Sequence, residues 1–237
     1  MADGGRAGVR VGGRAGSPVV GRDVGTAERS PRVVVVNFAF DPNIADPNGT
    51  LDAFAALRQW AAGLRAAGLE VGVVQRHSHD ALVLRDGVEY CFVAAGRRGR
   101  PRSWQPALRV TRTVVDLDPD LVHVNGLVFP LQTRLLRRRL RPRAAIVVQH
   151  HAESPRRGLR GRLQRWGLAE VDGFLFTSAA QAAPWLARGV VHSEDQVFEV
   201  MEGATDLLAE PVAMAQDRSR LTGSPALLWV GRLQAVK

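Results

Sequence analysis

Lysine is all but missing from this chain. Of 32 basic side chains in 237 residues, only Lys237, the last residue, is not arginine. A chain so rich in Arg, Ala, Gly and Val has the composition of a GC-rich coding sequence. The formal net charge of +9 is for that reason a weak sign of a nucleic-acid partner. Attraction to an anionic surface, nucleic acid or lipid headgroup, stays open on charge alone. No recognised nucleic-acid motif accompanies it, so nucleic acid is the less favoured partner. A single cysteine, Cys91, set in an apolar strand pattern, excludes a disulfide scaffold and points to a reducing compartment. No apolar run reaches the about 18 residues that a membrane-spanning helix needs. The N-terminus lacks the apolar core of a signal peptide, so the cytoplasm is the expected location. His77 and His79 have no third ligand at a diagnostic spacing, so neither a metal nor another cofactor is expected. What the chain does have is apolar side chains, 46% of its residues, enough to bury a sizeable core in one large domain or one and a half.

The organising stretch is Asp118 to His151. Leu121–Val124 and Ala145–Val148 are short β-branched runs, and roughly Phe129 to Leu140 between them has the apolar period of a helix. That arrangement predicts a βαβ crossover, right-handed and set in a parallel sheet buried on both faces. The two strands end in Asn125-Gly126 and His150-His151. Open α/β sheets bind ligands beyond the carboxyl ends of their strands, so these are the first candidates for chemistry.

Residues 1 to 30 are rich in Gly, Arg, Ala and Ser without apolar periodicity, and are expected to be a disordered tail. Residues 31–206 are expected to form the main domain. Its first strand is Arg32–Val36, followed by a Pro/Asn/Asp/Gly loop from Asn37 to Thr50 of the kind that carries function. A helix is predicted over about Leu51 to Ala67, with Leu51, Phe54, Leu57, Trp60, Ala61 and Leu64 on its buried stripe and Gly68 as its C-cap. A strand at Val71–Val74 runs into a loop bearing His77 and His79. Ala81–Arg85 and Val88–Val93 flank Asp86-Gly87, a hairpin signal. Further helices are predicted at Trp104–Leu117, at Arg156–Leu168 with Leu159, Leu163 and Trp166 on one face, and at Ala179–Ala187. Further strands are predicted at Gly173–Ser178, Gln196–Met201 and Pro225–Val230, with residues 207–237 a linker and the first strand of a second unit. The basic helix at Arg156–Leu168 is either an outer helix of the α/β layer or a face for an anionic membrane.

The last stretch, a buried strand followed by Gly231-Arg-Leu and then Lys237, resembles the opening of the donor domain in family 4 glycosyltransferases. Asp118–Gly126 is similar to the family's "PDvvHvhg" strand, Ala145–His151 to the strand ending in a histidine, and Gly173–Ser178 to the strand ending in serine. Val200–Asp206 resembles the "vipnGvd" linker, with Glu202 in place of the usual asparagine before Gly203. The resemblance implies a Rossmann-like, doubly wound, mainly parallel sheet as the N-terminal half of a GT-B enzyme, which faces a second such domain across a cleft. It implies retaining transfer of a sugar from a nucleotide-sugar donor to a sugar or lipid acceptor. His150 or His151 would orient the donor sugar, and Arg232 and Lys237 would hold the diphosphate. Asn37, Asn48, Gly49, Asn125, Gly126, Ser178, Glu202 and Gly203 would line the acceptor side and the cleft. It further implies that this portion is weakly active or inactive without the rest of a donor domain. A non-catalytic basic α/β module on nucleic acid or on an anionic membrane, peripheral at its inner face, is the alternative.

Overall fold

The computed structural model describes residues 29–95, 105–140, 142–201 and 210–219. Its elements in chain order are β1 (Arg32–Asn37), α1 (Pro47–Ala53), α2 (Ala55–Ala66), β2 (Glu70–His77), β3 (Ala81–Arg85), β4 (Val88–Ala94), α3 (Leu108–Asp116), β5 (Leu121–Asn125), α4 (Pro130–Leu140), β6 (Ala145–Gln149), α5 (Gly158–Leu168), β7 (Gly173–Phe176), α6 (Ala183–Leu186), β8 (Val197–Glu199) and α7 (Val212–Ser219). The strands form one sheet in the order β3-β4-β2-β1-β5-β6-β7-β8. All neighbours are parallel except the β3–β4 hairpin. This is the Rossmann-like α/β sheet expected from the alternation of β-branched runs and helices.

Valine builds both faces. Val34, Val36, Val122, Val124, Ile146 and Val148 enter the larger core with Val110 and Val114 of α3, Leu136 and Leu140 of α4, and Trp185. Val35, Val73, Tyr90 and Phe92 point the other way and pack on Leu51, Leu57 and Ala61. Successive strand residues face opposite layers, so continuous apolar runs are what a sheet covered on both sides requires.

Punctuation falls where local chemistry puts it. Asp86 and Gly87 have φ of 53° and 72°, the left-handed pair of a tight hairpin turn. Gly68 ends α2 at φ 86°.

Several boundaries differ from expectation. The helix predicted from Leu51 begins at Pro47, because Asp46 caps it by accepting from the backbone N–H of Asn48 and Gly49 at 3.3 and 2.9 Å. It then breaks at Phe54, which is exposed and not part of a buried stripe. β2 continues through His77, so that histidine is 1% exposed inside a strand and not in a loop. In α5 the buried residues are Gly161, Gln164, Gly167 and Leu168, whereas Leu159 and Trp166 face out. The lack of a side chain at Gly167 lets Pro130 at the start of α4 close on that position, so the helix docks by its small residues. The strand expected over Gln196–Met201 is confined to β8, behind a 3-10 turn that Ser193 caps. Within the connecting segment after Leu207, Val212–Ser219 is helical. The N-terminal tail to residue 28, the strand expected at Pro225–Val230, and the site residues Glu202, Gly203, Arg232 and Lys237 lie outside the described residues.

Candidate functional site

From β1 the sheet grows in one direction through β2 and in the other through β5, so the strand order reverses at β1. In an open α/β sheet the loops that leave the carboxyl ends of the strands at such a reversal diverge and leave a crevice. Here the base of that crevice is closed by Phe38, just after β1, and Phe129, just after β5, with ring centroids 5.7 Å apart. Asn37 ends β1 and its side-chain oxygen accepts from the Ala39 N–H at 3.1 Å. Gln75 of β2 donates to the Ala39 carbonyl at 2.7 Å, so the loop after β1 leaves the sheet in one direction.

The neighbouring strand ends, β5 and β6, are tied together more closely. Asn125 and Gln149 stand opposite each other in register. Gly126 has φ 102°, and its N–H donates to the Gln149 carbonyl at 3.0 Å. A side chain there would be strained, and its Cβ would lie 3.0 Å from the Glu153 carboxylate. That carboxylate accepts from the Leu127 N–H at 3.0 Å and from the His151 N–H at 2.6 Å. One acidic side chain therefore closes the loop after β5 against the loop after β6. Between His151 and Glu153, Ala152 is held at φ 56°, a conformation that non-glycine residues rarely adopt. Charge-assisted bonds of about 1.5–3 kcal/mol each offset that strain.

The two histidines, indistinguishable in the sequence, part company here. His150 is 7% exposed, with its ring 5.0 Å from Phe176 and edge-on to Trp185 at 5.8 Å. Its Nε2–H donates to the Glu153 carbonyl at 2.9 Å. His151 is half-buried and hydrogen-bonds through Nε2 to the Asn125 side-chain oxygen across the strand ends. Adjacent residues leaving a strand point to opposite faces, which sends His150 into the core layer and His151 to the Asn125 side.

Beneath His151 lies a buried polar group, the histidine within the Asp118–Gly126 strand motif. His123 of β5 is 2% exposed, and Trp60 of α2 donates to its Nδ1 at 2.8 Å. Nδ1 therefore holds a lone pair, and the ring proton sits on the buried Nε2. Burial, partly opposed by the Gln149 hydrogen bond and reinforced by the neighbouring His151, pushes the His123 pKa down to about 4. His77 is likewise shifted down, first by burial and then by His79, and its Nε2 lies 3.2 Å from the Thr50 hydroxyl.

Of the predicted site residues, Asn125, Gly126, His150 and His151 are thus brought together around Glu153. Asn37 sits at the end of β1, Asn48 and Gly49 in the first turn of α1, and Ser178 just after β7, all on the same edge of the sheet. Among the described residues none of these four hydrogen-bonds to the Glu153 group. In the sequence Glu153 is only an acid two residues after the histidines, with nothing to mark its role. Trp60 and His123 are 63 residues apart in the chain, and no local pattern pairs them.

A sequence profile described as Glycosyltransferase Family 4 matches residues 54–195. No curated protein sequence matches the chain. Among solved structures, sucrose-phosphate synthase from Thermosynechococcus elongatus aligns with a TM-score of 0.52 at 17% identity, over 81% of this chain and 53% of that one. The catalytic domain of Starch Synthase IV from Arabidopsis thaliana, bound to ADP and acarbose, aligns with a TM-score of 0.46 at 11% identity, over 73% of this chain and 51% of that one. The chain therefore spans about half the length of these structures, and the first likeness is one of fold. The profile, by contrast, is a match of sequence, and it runs from the start of α2 past β7, taking in the Asn125–Gly126 turn and both histidines. With more than half of its residues inside that match, the chain belongs to Glycosyltransferase Family 4.

Proposed function

We propose that this chain is the acceptor-side part of a retaining glycosyltransferase that moves a sugar from a nucleotide-sugar donor to an acceptor hydroxyl. The observation that carries the reading is the pairing of His151 with Asn125 across two adjacent strand ends, locked by Glu153, in a chain of this family. In such a transfer, negative charge builds on the departing diphosphate, and fixed cations beside it stabilise the transition state more than the ground state. Arg232 and Lys237, in the Gly-Arg-Leu segment, are the residues assigned to that task. His151 orients the donor sugar, while His150, engaged by Phe176, Trp185 and the Glu153 carbonyl, holds the loop that carries it.

The experiment joins the donor-binding domain of a family 4 enzyme after Lys237 and measures kcat/KM with that domain's nucleotide sugar. Transfer is expected. His151→Ala, Arg232→Ala or Lys237→Met should each slow it about ten- to a hundredfold, the kinetic equivalent of one lost hydrogen bond to a charged group. Arg112→Ala, on the outer face of α3, should leave it unchanged. Equal losses for all four substitutions would sink the site assignment, and absence of transfer would sink the reading.

The outer face of α5 favours work at an anionic membrane surface. Leu159 is 80% exposed beside the exposed Arg160, Arg162 and Arg165. Arg134 and Arg138 stack on the Trp166 ring at 5.2 and 5.7 Å. An apolar tip among cations fits lipid headgroups better than it fits water. The chain should float with phosphatidylglycerol vesicles and not with phosphatidylcholine vesicles, and Leu159→Ser with Arg160→Ala should abolish flotation. Equal flotation with both lipids would refute this contact.

A further inference from the structure

Beside the carboxyl end of β6, lined in part by His150 and Trp185, lies an open pocket of about 490 Å³. Its charged and polar walls are Arg157 from the loop before α5, Arg188 from the turn after α6, Gln181, Ser154, Glu153 and the His150 ring. Several arginines of this chain are ion-paired: Arg32 with Glu70, Arg85 with Asp52, Arg109 with Asp80, Arg134 with Glu170, Arg137 with Asp172. Among the described residues, the side chains of Arg157 and Arg188 form no ion pair and no hydrogen bond.

The one carboxylate on the pocket wall is already engaged, since Glu153 accepts from the backbone N–H of Leu127 and His151. Gln181 accepts from the Thr177 hydroxyl at 2.9 Å through its side-chain oxygen, which leaves its amide N–H groups as donors. His150 spends its Nε2–H on the Glu153 carbonyl. The pocket thus offers two guanidinium forks, an amide and the Ser154 hydroxyl as donors, against one carboxylate with both oxygens already hydrogen-bonded. Pro155 and Pro184 supply apolar wall.

From this we infer that the pocket binds a phosphate ester. Two planar guanidinium forks suit the three terminal oxygens and near-double charge of a phosphate monoester better than the two oxygens of a carboxylate. The volume leaves room for the group that the phosphate is attached to. If the chain is the acceptor-side part of a glycosyltransferase, the acceptor carries that phosphate. This last step rests on the proposed function, but the anion site does not.

The test is calorimetric titration of the full chain with glycerol 3-phosphate, with glycerol and D-glycerate as uncharged and carboxylate counterparts. Glycerol 3-phosphate is expected to bind, glycerol not at all, and D-glycerate at least tenfold more weakly. Arg157→Gln and Arg188→Gln should each weaken glycerol 3-phosphate binding about tenfold or more, and Arg112→Gln should not. Both pocket residues lie on loops at the surface, and an unchanged thermal melt will show that the variants fold. Phosphorus NMR line-broadening of glycerol 3-phosphate by wild type and by the double variant gives an independent reading.

Vesicles of phosphatidic acid against phosphatidylglycerol separate the sources of the phosphate. A preference for phosphatidic acid that Arg157→Gln abolishes places it on a lipid, and binding of the soluble ester without that preference places it on a soluble acceptor. Equal binding of glycerate and glycerol 3-phosphate, or equal losses for Arg157→Gln and Arg112→Gln, would overturn the inference. Transfer by the chimera to an uncharged acceptor, with no glycerol 3-phosphate binding, overturns this inference alone. Binding without transfer overturns only the transferase reading.

Discussion

Replacing Arg137 with methionine is expected to lower the free energy of unfolding by about 3 kcal/mol, well above the loss from breaking an exposed ion pair. Arg137 is 6% exposed on α4, yet it is fully engaged. Its Nε–H donates to the Glu170 carbonyl at 2.8 Å, one terminal nitrogen donates to the Ala144 carbonyl at 3.0 Å, and the other pairs with the Asp172 carboxylate. Asp172 in turn accepts from the Ile146 N–H at 2.7 Å. This one guanidinium therefore joins α4 to the segments that lead into β6 and β7. Methionine fills much of the volume but leaves buried carbonyls without donors, and an unmet buried acceptor costs about 1–3 kcal/mol. Half-exposure of Asp172 lets water replace part of the ion pair, which keeps the figure at the lower end of what a broken buried pair costs. Urea unfolding followed by circular dichroism should show a lower midpoint with an unchanged slope. A loss under about 1 kcal/mol would mean that the helix shifts and re-satisfies those carbonyls.

Acidification from about pH 6.5 to about pH 4 should remove on the order of 3 kcal/mol of stability through His123 alone. In the unfolded chain this imidazole takes up a proton near its ordinary value of 6.5, whereas in the fold burial holds it to about 4. Between those values the unfolded state binds more protons than the folded one, so stability falls with falling pH. It is fully present above the unfolded value and levels off below the folded one, at about 1.4 kcal/mol for each pH unit between. A proton on Nδ1 would also displace the Trp60 N–H that donates there. His123→Phe keeps a ring against Trp60 and removes the titration. It should be less stable than wild type at pH 7.5, because the Trp60 N–H loses its acceptor, but clearly flatter across pH 7.5 to 4.5. His77, shifted down for the same reason, will leave a residual slope in the variant. Urea midpoints at four pH values for both proteins decide the matter. Parallel curves would show that acid unfolding is driven elsewhere.

Period and punctuation were enough to read most of the sheet from the chain. Valine runs at β1, β2, β5 and β6, each bounded by polar or glycine residues, declare strands buried on both faces, and Asp86-Gly87 declares the hairpin. The strand ends follow from the same pattern, so Asn125, Gly126 and the two histidines can be named as a group from the sequence alone. These are local signals, set by side-chain alternation and by φ preferences that act within a few residues. Local signals also misled. Leu159 and Trp166 of the α5 stripe face outward, because what decides a helix's buried face is which partner can approach it, and Pro130 approaches at Gly167. Phe54 fell out of its stripe where α1 and α2 part.

The choice between His150 and His151 was beyond any pattern, since two adjacent residues of one kind differ only in the layer that each strand face meets. Packing gives them different surroundings, with Phe176 and Trp185 about His150 and Asn125 beside His151. Glu153 closing two loops, Trp60 setting the tautomer of His123, and Arg137 bridging three segments are contacts between residues 26 to 63 positions apart in all but the shortest cases. A hydrogen bond depends on where its donor and acceptor are brought in space. For residues so far apart in the chain, that meeting is decided only once the sheet has set its strand order.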